Sequence, residues 1–140
     1  MQRSLSESIR KTIKNLLDMA PLLAGTLFLL GLVITIVPDS LYHSIFGKIF
    51  FLNAITGGIL GSVLAGNPIE SYIIGGELLK KGVGLAAATA FIISWVTVGV
   101  VQIPIEAKAI GKKFTLWRNF ISFIFAVLIG IATTVILGRW

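Results

Sequence analysis

A chain of 140 residues has the length of one domain, and here 56% of the residues are hydrophobic while 13% are charged. That composition excludes an ordinary water-soluble domain and predicts an integral membrane protein. The net charge of +6 would suggest nucleic acid in a soluble protein. Here the basic residues flank apolar stretches, so we expect the lipid bilayer and no nucleic acid as their partner.

Four stretches of the chain carry no formal charge, with lengths of 20, 21, 24 and 20 residues. A helix needs about 20 residues to cross the hydrocarbon core of a bilayer. We therefore predict an all-α integral membrane protein of the cell membrane, a single multi-pass domain over 1–140 with about four transmembrane helices. The predicted spans are 19–38, 49–66, 83–104 and 119–138.

The segment before the first span, residues 1–18, predicts an amphipathic helix lying in the membrane interface. Leu5, Ile9 and Ile13 recur at helical spacing with basic residues between them. Ser4 and Glu7 have the spacing of a capping box, in which two side chains satisfy the free N–H groups of a helix start. Pro21 then falls in the first turn of the first predicted span, where proline is well tolerated.

Small residues mark one face of the second span. Gly57 and Gly61, and likewise Gly58 and Ser62, are four residues apart, a pattern typical of helices that approach closely. The pattern favours helix packing, although the same glycines could let a solute come near the backbone. The sequence leaves both interpretations open.

Residues 67–82 form a polar break between the second and third spans. Pro68 is suited to the first turn of a helix and Gly75-Gly76 would loosen one, so we predict a broken or re-entrant helix. If this helix begins at Pro68, its free N–H groups would point at whatever occupies the break, beside Glu70. A carboxylate at membrane depth is costly unless it has a function or a partner.

A second polar group ends the third span, where Gln102 and Glu106 lie four residues apart on one helical face. We expect them to form the wall opposite the polar break. The predicted solute site has Glu70 as its charged residue and comprises Asn67, Pro68, Glu70, Ser71, Tyr72, Gln102 and Glu106. The alternative is that Glu70 and Glu77 lie at headgroup level, solvated and paired with Lys80 or Lys81.

The basic residues give a weak indication of topology. If residues 67–81 return to the face they entered from, seven Lys and Arg residues share the face of the N-terminus and five lie opposite. Three explanations fit this small difference. The Pro68 region crosses the membrane, or the chain inserts in both orientations and pairs with its inverted copy, or the charge rule fails here.

No pattern in the sequence indicates an enzyme or a cofactor. There is no Ser/His/Asp arrangement and no glycine-rich loop of the kind that cradles nucleotide phosphates. His43 is the single histidine and the chain has no cysteine, so we predict no metal site.

The run "GGILGSVLAGNPIESYIIGGELLKKGVGLAAATAFIISWVTVGVVQIPIEAKAIGKKFTLWR", Gly57 to Arg118, resembles the YraQ-like predicted permeases, a family that includes organoarsenical permeases. The similarity is the order of a glycine-rich span, a polar break with a proline, and the stretch "GELLKKGVGLAAATAFIISW". It implies a half-length permease that must dimerise. Organoarsenical members carry cysteines in the break, where this chain has Asn67 to Ser71 and none.

These observations together predict a permease subunit that moves an unknown small solute or ion across the bilayer, as a homodimer whose two copies run parallel or inverted. The alternative is a membrane interaction protein that does not transport and docks a larger partner through its glycine-rich helix faces.

Overall fold

The computed structural model describes residues 5–47, 49–64 and 67–138. All regular secondary structure in those ranges is helical, as the composition predicts. The chain divides into two compact units, Met1–Val37 and Pro38–Trp140.

The first unit is a single helix, α1, Leu5–Ile36, of 32 residues. The sequence predicts two elements here, an interfacial helix to residue 18 and a separate span from residue 19. No turn residue separates the amphipathic part from the apolar part, so α1 continues through both and Pro21 lies inside the helix. The predicted capping residue Ser4 falls outside the described residues.

The second unit contains the other helices. They are α2 (Asp39–Ile45), α3 (Phe50–Val63), α4 (Pro68–Lys80), α5 (Leu85–Thr97), a 3₁₀ turn (Val100–Gln102), α6 (Ile103–Ile110) and α7 (Lys112–Leu137). The helices α3, α5 and α7 pack side by side, and α4 covers α5.

Helices α3 and α5 are in backbone contact through the predicted glycine pattern. A Cβ atom at Gly57 would come under 3.0 Å from the carbonyl oxygen of Ala87, and one at Gly61 would meet that of Phe91. Because the two pairs occur in the same order along both helices, α3 and α5 run parallel. Any side chain at these positions would push the helices apart.

The other glycine of that face packs against α7. A Cβ at Gly58 would lie 3.0 Å from the ring of Phe123 and 3.2 Å from Val127. Ser62 is buried and its hydroxyl donates to the carbonyl of Ile59 at 2.7 Å. The small-residue face of α3 is therefore covered by helices of the same chain.

Helices α4 and α7 both run antiparallel to α5. Gly130 of α7 faces Ala86 near the start of α5, while Asn119, early in α7, bonds to Gly99 just beyond its end. Pro68, at the start of α4, lines a cavity with Thr97 at the end of α5, while Gly75, later in α4, packs against Ile92, earlier in α5.

The predicted polar break is a regular helix. Helix α4 runs unbroken through Gly75-Gly76, because Gly75 packs closely on α5 instead of acting as a hinge. The interruptions lie at its two ends, at Leu64 and over residues 81–84. Since α3 and α5 are parallel, α4 carries the chain back along α3, and Ile49 and Lys81 lie toward the same end of the unit. The predicted return to the face of entry would instead place these residues at opposite ends.

Two helical segments of the described chain are long and apolar enough to cross a bilayer. They are Leu85–Ile110, which joins α5 to α6, and Lys112–Leu137. Helix α3 is apolar but has 14 residues. The predicted third span, 83–104, is not one continuous α-helix, since α5 ends at Thr97 and the chain leaves helical geometry at Val98 and Gly99.

Candidate functional site

The start of α4 is fixed by the first group of predicted site residues. The side chain of Asn67 accepts a hydrogen bond from the N–H of Ile69 at 3.0 Å, and Glu70 accepts one from the N–H of Asn67 at 3.2 Å. This is a capping box with Pro68 at the first helical position. Glu70 is 9% exposed, and the positive end of the helix dipole compensates its carboxylate.

The next two predicted site residues do not face a common space. Ser71 is fully buried and its hydroxyl donates to the carbonyl of Pro68 at 2.7 Å. Tyr72 is 65% exposed on the outer surface of α4. The sequence pattern places these residues next to Glu70, but the helix directs their side chains to opposite surroundings.

A cavity of about 100 Å³ lies where the start of α4, the end of α5, the 3₁₀ turn, α6 and α7 meet. It brings together three of the predicted site residues, Pro68, Gln102 and Glu106. Asn67, Glu70, Ser71 and Tyr72 are not among the described residues that line it. The described residues that line it are Pro68, Trp95, Val96, Thr97, Gly99, Gln102, Glu106 and Arg118.

Glu106 is the carboxylate of this cavity, and its partners come from α7. Nη2 of Arg118 donates to Oε1 at 2.5 Å and to Oε2 at 2.6 Å, and Nδ2 of Asn119 donates to Oε2 at 3.2 Å. The side chains of Glu106 and Arg118 are 22% and 35% exposed. The carboxylate that lines this cavity is therefore Glu106, paired with a cation, whereas Glu70 is not among the described lining residues.

Asn119 also explains why α5 ends where it does. Its Oδ1 accepts the backbone N–H of Gly99 at 3.0 Å, and its Nδ2 donates to the carbonyl of Thr115 at 3.0 Å. In a continuous α-helix the N–H of Gly99 would bond to the carbonyl of Trp95. Asn119 thus takes over a helix hydrogen bond and stabilises the opening between α5 and α6.

Two N–H groups of the lining residues are buried without a partner. They are Nε1 of Trp95 and Nε of Arg118. Trp95 is 9% exposed, and its ring packs at a tilt on Phe91 with the ring centroids 5.5 Å apart. Buried donors nearly always have an acceptor in native proteins, so two unpaired donors at one cavity call for a bound acceptor.

Sequence reasoning did not identify Trp95, Arg118 or Asn119 as site residues. The available signal was an Arg-Asn pair at the edge of a charge-free stretch, twelve residues after a glutamate. An arginine at the edge of such a stretch can reach an acidic side chain of the preceding helix, as Arg118 reaches Glu106.

Comparisons with protein-family models, with curated proteins and with solved structures give no match. In the described part of the chain no group of three His, Asp or Glu residues could hold a metal ion. The chemistry of the site is that of an ion pair, an amide and unpaired N–H donors around a small space, which suits the binding of a small polar solute.

Proposed function

We propose that this chain is a subunit of a multi-pass membrane permease that moves a small solute or ion, and that the solute binds in the cavity formed by Pro68, Gln102, Glu106, Trp95 and Arg118. The observation that carries this proposal is the enclosed polar cavity with unpaired donors in a largely apolar protein. The resemblance to the YraQ-like permeases agrees with it.

The surface of α7 supports a membrane location. Only 22% of its most apolar window is buried, so most of its apolar side chains, such as Phe120, Phe125 and Ile136, face outward. The core helix of a soluble protein would bury most of such a window. Lipid is the environment in which so large an outward apolar surface costs little.

The internal packing supports a dimer. Backbone contact at Gly57, Gly61 and Gly130 closes the space between α3, α5 and α7, and the cavity is small beside α7, whose 26 residues extend about 39 Å. A cavity of about 100 Å³ is too small to connect the two ends of α7. We propose that the passage forms between two copies, parallel or inverted.

The direction of α4 supports a crossing at the Pro68 region. Helix α4 runs in the direction opposite to α3. This direction fits the hypothesis that the region traverses the membrane better than the hypothesis that it re-enters. We therefore propose that the chain passes through the bilayer at α1, α3, α4, α5–α6 and α7.

The alternative of a docking protein that does not transport is less well supported. The glycine face that would receive a partner is covered by α5 and α7 of the same chain. A docking partner would have to displace an intramolecular helix, which costs the packing that these glycines permit.

The test is flux through liposomes that contain the purified protein. Entry of K⁺, H⁺, chloride and acetate would be followed with enclosed indicators, for the native chain and for Gln102→Ala. Glu77→Gln, outside the cavity, is the control. We expect flux of at least one probe, reduced at least fivefold in Gln102→Ala and unchanged in the control. Absence of flux for all probes, or equal flux in all three proteins, would contradict the proposal.

A further inference from the structure

The charged side chains that line the cavity of the candidate site leave an N–H donor unpaired, whereas their acceptor oxygens already accept hydrogen bonds. Both oxygens of Glu106 already accept hydrogen bonds from Arg118 and Asn119. On the same ion pair, Nε of Arg118 has no acceptor, and neither has Nε1 of Trp95. Among the buried side-chain atoms of the residues that line this cavity, the unmade hydrogen bonds are therefore donor bonds.

A third group can add to them. The amide of Gln102 lines the cavity and folds back over Gly99, where its Oε1 lies 3.0 Å from the place a Cβ would occupy. An amide carries two N–H donors and can turn to suit its ligand. The space of about 100 Å³ is large enough for several water molecules or for a small anion of a few heavy atoms.

We propose that the cavity binds a small oxygen-bearing anion, of the size of formate or acetate, between Nε of Arg118, Nε1 of Trp95 and the amide of Gln102. A planar guanidinium edge and an indole N–H match two oxygens of one carboxylate. This inference deepens the proposed function, since it names the class of solute for the same site. The last carbonyl groups of α5 also border the cavity and would attract a cation, so the charge of the ligand is what the experiment must decide.

Trp95 supplies the probe. In a Trp117→Phe/Trp140→Phe background it is the remaining tryptophan, because the chain has three. The purified protein in detergent is titrated with sodium formate or sodium acetate, with sodium chloride replaced to keep the ionic strength constant. We expect a saturable change in Trp95 emission. A parallel titration of choline chloride with potassium or sodium chloride tests for a cation.

Three variants in that background separate the possibilities. Arg118→Lys keeps the positive charge but lacks Nε–H, and should weaken anion binding about tenfold. Glu106→Gln removes the neighbouring negative charge, and should strengthen it by a similar factor. Lys113→Gln removes an exposed charge from the same helix and should change it less than about twofold. Circular dichroism checks that each variant keeps its helical content.

Each outcome decides the inference. A saturable response to formate or acetate that Arg118→Lys weakens and Glu106→Gln strengthens supports it. A response to potassium or sodium that Glu106→Gln abolishes overturns it, as does the absence of any saturable response, which would leave water as the occupant. Anion binding without flux in liposomes would overturn the permease proposal but keep the anion site. Flux without anion binding would overturn the anion site but keep the permease proposal.

Discussion

The backbone N–H of Gly99 donates to Oδ1 of Asn119, 3.0 Å away and 20 residues later in the chain. This bond replaces a helix bond at the end of α5 and keeps α5 and α6 apart. Asn119 is 6% exposed and also contacts Glu106, so one side chain joins the interruption of the helix to the ion pair of the cavity.

We expect Asn119→Ala to destabilise the protein by about 1–3 kcal/mol, because the partly buried N–H of Gly99 would lose its acceptor. Thermal unfolding in detergent measures the effect. Asn15→Ala, on the exposed surface of α1, removes the same side chain where no such bond exists and should change the melting temperature little. Equal melting temperatures for the two variants would contradict the role of Asn119.

The contact between α3 and α5 predicts a second effect on stability. Gly61→Ala would place a methyl group against the backbone of Phe91, and we expect a loss of about 1–3 kcal/mol. Gly76→Ala is the matched control, since it also lies in a helix but has no atom within 4 Å of its Cβ position. It should stabilise α4 by about 0.5–1 kcal/mol, because alanine loses less backbone entropy than glycine. Effects of the same sign at both sites would refute this packing.

Two ion pairs among the described residues, Glu106 with Arg118 and Glu77 with Lys80, should differ in strength. A double-mutant cycle on Glu106 and Arg118, with glutamine at each position, should give a coupling of about 1 kcal/mol, because one guanidinium nitrogen donates to both carboxylate oxygens and both side chains are mostly buried. The same cycle on Glu77 and Lys80 should give about 0.3 kcal/mol, since the lysine side chain is 73% exposed. Unfolding free energies of the single and double variants supply both values. A weaker coupling at Glu106 would mean that this pair is not held in place.

The parallel course of α3 and α5 predicts which positions share a side of the membrane. The chain has no cysteine, so Ile49→Cys, Lys81→Cys and Lys113→Cys can be labelled singly in sealed vesicles with a membrane-impermeant maleimide. We expect the first two to react from the same side and the third from the opposite side. Ala87→Cys, fully buried in α5, should react only after unfolding. Labelling of Ile49→Cys and Lys81→Cys from opposite sides would contradict this topology and support a re-entrant segment.

The helical class follows from the sequence, and so do the small-residue contacts, because both depend on local composition. Gly57 and Gly61 are recognisable as a close-approach pattern without knowing which helix they meet. The start of α4 is likewise local, since Asn67, Pro68 and Glu70 need only each other to form a cap.

The remaining features depend on residues far apart in the chain. The end of α5 could not be predicted, because the acceptor for Gly99 comes from α7. The pairing of Glu106 could not be predicted for a related reason, because Arg118 lies twelve residues later in the chain, whereas the hydrogen bond of Glu70 lies within the cap of its own helix. The sequence predicts a break at Gly75-Gly76, because the contact of Gly75 with Ile92 is not visible in the sequence.

The lengths of the helices in the second unit have a consequence for the surrounding lipid. Helices α3 and α4 have 14 and 13 residues and extend only about 20 Å, while α7 extends about 39 Å. A hydrocarbon core of about 30 Å is thicker than the first two and thinner than the last. In a bilayer the acyl chains beside α4 would be compressed. On the other side, beside α7, either the acyl chains would be stretched or α7 would tilt. Two copies that contact each other through the side with the short helices would relieve this deformation. Vesicles made of shorter-chain lipids should therefore weaken dimerisation.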